Sequence, residues 1–136
     1  MLTTHKKILG LILLLGMSNV LAGTPSNNTF PSKLNNPESK AIEFAKQAGS
    51  IAGVAQACGQ NLGDFSARIT EAINKLSNGP ADQAAAALVY QRISQEAQMA
   101  ERKSQTIPCM KVLQDFRNLP IMKSDYKAKV INQLSP

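Results

Sequence analysis

Apolar residues recur at alternating spacings of three and four along most of this chain. Ala41, Phe44, Ala48, Ile51, Ala55 and Cys58 form the first run, a spacing that places them on one face of a helix. Asn36-Pro37-Glu38 is its expected start. Asn36 caps, Pro37 takes the first helical position, and Glu38 meets the positive end of the dipole. Gly59 is the expected stop. Asp64 then caps a second run of Leu62, Phe65, Ile69, Ala72 and Leu76, which Asn78-Gly79-Pro80 closes. The third and longest pattern covers residues 81–105, with Ala85, Val89, Ile93, Ala97 and Ala100 on one face. Asp82 in its first turn and Arg102 and Lys103 in its last suit the helix dipole. Thr106-Ile107-Pro108 restarts the chain. Cys109, Val112, Phe116 and Leu119 then point one way, until Pro120 ends the fourth helix. Ser124-Asp125 opens a last helix with Tyr126, Val130 and Leu134 inward. No convincing two-residue alternation marks a strand. Short loops between helices predict antiparallel neighbours. The expected fold is therefore all-α: an antiparallel helical bundle of four main helices plus a short C-terminal helix.

Two glycines interrupt the first pattern. Gly49 and Gly53 lie four residues apart among Ala45, Ala52 and Ala57. Glycine inside a helix costs about 1 kcal/mol relative to alanine, and close approach by a neighbouring helix is the expected return. The same spacing serves transmembrane pairing in lipid, but Lys40, Glu43 and Lys46 on this segment favour tight packing in water.

The N-terminus falls outside the helical pattern. His5, Lys6 and Lys7 precede an apolar run at residues 8–15, too short to span a bilayer. Val20-Leu21-Ala22 supplies small or aliphatic residues where a signal peptidase cuts. Residues 1–22 are thus expected to be a secretory signal peptide. Residues 23–36, rich in Ser, Thr, Asn and Pro, form a flexible leader, and residues 37–136 a single helical domain. Such a chain is expected to be exported through the periplasm and secreted. Its two cysteines, Cys58 and Cys109, then have one intramolecular pairing available in an oxidising compartment. Closing that loop stabilises by about 4 kcal/mol in the chain-entropy view.

These features narrow the chemistry. The sole histidine, His5, belongs to the signal peptide, which removes imidazole-based triads and histidine zinc sites from the mature chain. A bridged Cys58 is neither nucleophile nor metal ligand. No phosphate-cradling glycine loop and no Cys-x-x-Cys is present. Carboxylates remain: Asp64 with Glu71, or Glu96 with Glu101, would be the acid/base pairs of a carboxylate-based hydrolase. Their polar helix-surface settings favour a solvated face instead. No catalytic residue, metal site or cofactor is expected.

Charge adds the last feature. The chain is +6 at pH 7, yet residues 102–136 carry seven Lys/Arg against two Asp, a net +5. Arg102, Lys103, Lys111, Arg117, Lys123, Lys127 and Lys129 are the candidate ligand-binding residues for an anionic head group. Lys123 and Lys127, four apart, would share a helical face. Two basic clusters are expected at opposite ends of the fourth helix, about 15 Å apart, with Met122 and Tyr126 beside them. Each such cation near an acidic membrane is worth about 1 kcal/mol. Aromatic residues are too scarce for strong base stacking, so no specific nucleic-acid partner is expected.

The alanine-rich helices with the single pair Cys58 and Cys109 resemble small secreted helical proteins of Gram-negative bacteria. In outline they resemble the pilotins of type II secretion, although Thr24 stands where a pilotin's lipidated cysteine would be. The soluble, Asn/Lys/Ser-rich chain looks more like a small type II-exported substrate of Legionella-like intracellular bacteria. That resemblance implies a virulence effector acting at host membranes. The leading expectation is a secreted, non-catalytic protein that binds acidic phospholipids such as phosphoinositides. Alternatives are a periplasmic protein-binding module or secretion assembly factor, with a groove beside Gly49 and Gly53, and the carboxylate-based hydrolase. A host or periplasmic protein is the other expected partner.

Overall fold

The fold was established from a computed structural model, which describes residues 38–105 and 107–136. The signal segment, the leader and the Asn36-Pro37 start lie outside the described residues. Among those described, the chain is all-helical with five α-helices and no strand. They are α1 (Lys40–Ala57), α2 (Gly63–Leu76), α3 (Pro80–Ser104), α4 (Cys109–Arg117) and α5 (Tyr126–Lys129). Two 3₁₀ turns, Pro120–Met122 and Ile131–Gln133, flank α5. No described helix is long and apolar enough to cross a membrane.

The helix ends follow local chemistry. Ser39 caps α1, its hydroxyl accepting from the Ile42 N–H at 3.1 Å, so the cap stands three residues after Asn36. Glu38 therefore precedes the helix, and Glu43 is the acidic residue of its first turn. At the other end, Gly59 takes a left-handed φ of 84°. This lets the Gly59 and Gln60 N–H groups donate to Gln56 and Ala55 carbonyls, the paired C-terminal bonds of a Schellman turn. Asp64 does not cap α2. It lies in the first turn, and the Asn61 side chain instead accepts from the Gly63 N–H at 2.8 Å. Pro80 opens α3 as its first residue. Pro108 is the residue before α4, which begins at Cys109.

Helix α1 is the hub. Ser39 at its start donates to Asp82 Oδ1 at 2.6 Å in the first turn of α3. Further along, Gly49 meets Tyr90 and Ile93, and Gly53 meets Ser94, Ala97 and Gln98. The partner numbers rise together, so α1 and α3 run parallel. Helix α2 leaves the end of α1 and ends near Asn78, whose N–H donates to the same Asp82. The closest packing joins the non-consecutive α1 and α3.

The glycines make that contact. A Cβ on Gly49 would stand 2.8 Å from the Tyr90 carbonyl oxygen, and one on Gly53 2.6 Å from Ala97 Cβ and 2.7 Å from the Gln98 nitrogen. Both are closer than real Cβ contacts, so only glycine permits this approach. Helix α1 is in consequence buried on two sides, not along one seam. Ala41, Phe44, Ala45, Ala48, Ala52 and Ala55 are all enclosed.

The other side of α1 is filled by side chains. Phe65 of α2 and Phe116 of α4 pack with ring centroids 5.0 Å apart. Ile69, Ile73, Leu76, Leu119, Ile121, Val130 and Ile131 complete this core. The Cys58–Cys109 disulfide, with Cα atoms 5.3 Å apart, ties the start of α4 to the end of α1. The chain then runs back until Lys40 Nζ donates to the Pro136 carbonyl at 3.4 Å. Cys109 and Ala100, expected inward, are exposed, and Ala86 is the fully buried alanine of α3.

Candidate functional site: the basic face of the C-terminal segment

The seven candidate cations do not form one group. Arg102 and Lys103 occupy the last turn of α3, and both are exposed. Lys111 leaves the set. Its ammonium lies 3.0 Å from Asp115 one turn along α4, with only 23% of its side chain exposed. That pair is internal to the helix and neutralises the charge locally. Arg117 closes α4, exposed. Lys123 is exposed and donates to the Asn118 side-chain oxygen at 3.2 Å. Lys127, 67% exposed, stands 3.9 Å from Glu71 of α2. Lys129 is exposed at the end of α5. Five of the seven, namely Arg102, Lys103, Arg117, Lys123 and Lys129, thus have no carboxylate partner among the described residues.

Lys123 and Lys127 do not share a helical face. Lys123 ends the first 3₁₀ turn in extended backbone, φ −78° and ψ 158°, and α5 begins only at Tyr126. Ser124 and Asp125 form a turn, which breaks the one-turn relation that a continuous helix would have imposed.

Arg68 causes much of this geometry, and it lies outside the basic third. From the middle of α2 its Nη1 donates to the Ile121 carbonyl at 2.8 Å and the Lys123 carbonyl at 3.1 Å. Its guanidinium also stacks 4.2 Å from the Tyr126 ring centroid, an attraction of charge for the ring face. The Tyr126 hydroxyl donates to Glu71 Oε2 at 3.1 Å. Tyr126 is therefore committed inside the chain, and Met122 is half-buried. The exposed apolar groups lie elsewhere. Met110, in the first turn of α4, is 86% exposed, and Met99 of α3 is 56% exposed. Met99 precedes Arg102 and Lys103 by three and four residues, hence shares their side of α3.

Comparison with family models, curated proteins and solved structures found no match.

The geometry of α4 connects the two basic groups. Met110, Gln114 and Arg117 are spaced four and three apart, which puts them on one helical face, and all three are exposed. Helix α4 is nine residues long, roughly 13 Å at the α-helical rise. Its outer stripe therefore runs from Met110 to Arg117, with Arg102 and Lys103 before the helix in the chain and Lys123 after it.

Three of the four candidate carboxylates, Glu71, Glu96 and Glu101, are otherwise engaged. Glu71 receives Tyr126 and lies two turns from Asp64 on the same helix. Glu96 stands 3.9 Å from Arg92. Glu101 is buried instead of solvated, and one oxygen accepts from the Ile107 N–H at 3.4 Å, across the α3–α4 corner.

Proposed function

We propose that this protein is a secreted, non-catalytic binder of anionic phospholipid head groups, phosphoinositides among them, and that it docks through the outer stripe of α4 and its two flanks. The observation that carries the proposal is the set of five exposed cations without a carboxylate partner among the described residues. Unpaired cations keep their full field toward an anionic surface. Met110 and Met99 extend the same surface with flexible apolar side chains, suited to entering the head-group boundary as cations hold the protein there. Lys111 is not part of this surface. The Cys58–Cys109 bridge supports the extracellular setting, because disulfides persist in oxidising compartments.

Co-sedimentation with vesicles of phosphatidylcholine alone, of phosphatidylcholine with phosphatidylserine, and with added phosphoinositide tests the proposal. Binding to both anionic compositions at low salt, weakened as salt rises, is the expected result. Equal recovery with neutral and anionic vesicles would refute it.

A further inference from the structure

A second surface has a different chemistry. Between the end of α1, the start of α2 and the middle of α3 lies an open cleft of about 440 Å³, within the usual range of small-molecule sites, roughly 300–1,000 Å³. Four glutamines surround it: Gln56 from α1, and Gln91, Gln95 and Gln98 from α3. None of their carboxamides has a hydrogen-bond partner among the described residues. Tyr90 lies in the wall, its hydroxyl 3.1 Å from that of Ser66.

Ser94 supplies the independent observation. It is only 8% exposed, and it lines the cleft. Ser50, Ser77 and Ser104 return their hydroxyls to the carbonyl four residues back, and Ser66 pairs with Tyr90. Ser94 makes no such bond, and no other partner reaches it among the described residues. Its position is fixed from behind, where Gly53 closes against the Ser94 backbone. Ser94 is thus a largely buried residue whose hydroxyl has no protein partner among the described residues and reaches solvent where the residue lines the cleft, so it is free to bond something that enters there.

The lining selects the occupant. Apart from the Tyr90 phenol it has no ionisable group, although the chain as a whole is +6. An ionic ligand would find no counter-charge. A purely apolar one would leave the Ser94 hydroxyl without water or partner, a cost of about 1–3 kcal/mol, and would make no use of the carboxamides around it, of which those of Gln56, Gln91 and Gln95 belong to exposed residues. The cleft needs a neutral ligand dense in groups that both donate and accept, as a carboxamide does. An extended peptide presents such groups in a line and is matched by a strand edge, which the described residues lack. Clustered hydroxyls on a ring fit a compact, amide-lined cleft, and the C–H face of a sugar fits the Tyr90 ring and neighbouring Leu62. We propose that this cleft binds a neutral oligosaccharide.

Amide NMR of the full exported chain tests this, with neutral trisaccharides of glucose, mannose, galactose and N-acetylglucosamine as probes. Saccharide sites of this openness bind weakly, so concentrations run to the order of tens of millimolar. At least one trisaccharide is expected to shift the side-chain amide signals of Gln91, Gln95 and Gln98 together. The double variant Gln91→Ala/Gln95→Ala is expected to lower that affinity at least about tenfold, some 1.4 kcal/mol. Both residues are exposed on a helix, so the fold should survive. A variant-free readout is the nuclear Overhauser effect between Tyr90 ring protons and sugar C–H protons, expected in the parent complex. The proposal is overturned if no trisaccharide shifts these carboxamides, if affinity is unchanged in the double variant, or if bound sugar shows no contact with Tyr90. A larger response to an uncharged Gly/Ser peptide than to any sugar would also overturn it.

Discussion

The two sides of α1 are built by opposite means. Toward α3 the contact consists of backbone and the smallest side chains, with Gly49 and Gly53 against Tyr90, Ser94 and Gln98. Toward α2 and the C-terminal segment it consists of large side chains, Phe65 on Phe116 with Ile69, Leu76, Ile121 and Ile131 around them. One side tolerates no added atom, and the other no removed one. The difference explains how a chain with four phenylalanines and no tryptophan packs the five described helices. Close backbone approach joins the two longest helices, which leaves the bulky residues for the short and irregular elements. Those short elements carry Arg117, Lys123 and Lys129, while Arg102 and Lys103 end α3, so the aromatic side of α1 is the platform for part of the charged surface.

Removing volume from the aromatic side should have the largest effect. Phe116→Ala deletes a buried ring and one half of the Phe65 pair, an expected loss of about 4 kcal/mol in chemical denaturation. The seam should show the reverse sensitivity. Gly53→Ala adds one carbon where the Gln98 nitrogen stands 2.7 Å away. Overpacking against backbone is expected to cost about 3 kcal/mol, despite alanine's gain of about 1 kcal/mol in helix propensity. A Gly53→Ala protein as stable as the parent would remove the seam from this account. Gly49→Ala, facing a 2.8 Å contact to the Tyr90 oxygen, should cost somewhat less.

A smaller effect sharpens the parallel pairing of α1 and α3. Ser39 caps α1 and donates to Asp82 of α3. That bond, with the Asn78 N–H as second cause, holds the Asp82 carboxyl below its ordinary value of 3.8. A depressed carboxylate contributes stability that is present above its unfolded pKa and lost as pH falls through the folded value. Ser39→Ala is therefore expected to cost about 1 kcal/mol at pH 7. The gap between variant and parent should narrow as pH drops below about 4. A gap constant with pH would mean that the Ser39–Asp82 bond contributes nothing.

Much of the fold was legible in the residues. The Gly59 stop, the break before the long helix at Asn78-Gly79, the disulfide and the need of Gly49 and Gly53 for a close neighbour all follow from local chemistry, and each is present; Pro80, expected as part of the stop, is the first residue of α3. The neighbour's identity was not legible. Loop lengths give the direction of consecutive helices but not which helices touch, so the α1–α3 pairing had to come from three dimensions. The groove expected beside the glycines is filled by α3 for the same reason. The candidate site was legible as charge but not as geometry. Lys111 lost its freedom to Asp115 by a one-turn pairing that the sequence does contain. Lys123 left the helical face because Ser124 and Asp125 form a turn where a helix start was expected. Arg68 gave no sequence signal, because its role depends on carbonyls at Ile121 and Lys123, more than fifty positions away. The sequence carried no signal for Ser94 and the glutamines, because the cleft forms only where α1 and α2 meet α3.

The most direct measurement compares equal changes of charge on the two regions. Lys103→Glu/Arg117→Glu/Lys123→Glu alters the charged surface, and Lys46→Glu/Lys75→Glu/Arg92→Glu makes the same change of net charge on α1, α2 and α3. Flotation of both variants with phosphoinositide-containing vesicles at low salt gives their affinities relative to the parent. The account predicts that the first set lowers affinity at least about a hundredfold, from about 1 kcal/mol per lost cation. The second set should change it by no more than about threefold, the residue of long-range attraction. Equal losses in both would show that net charge and not the α4 surface carries the binding, and would contradict the proposed function.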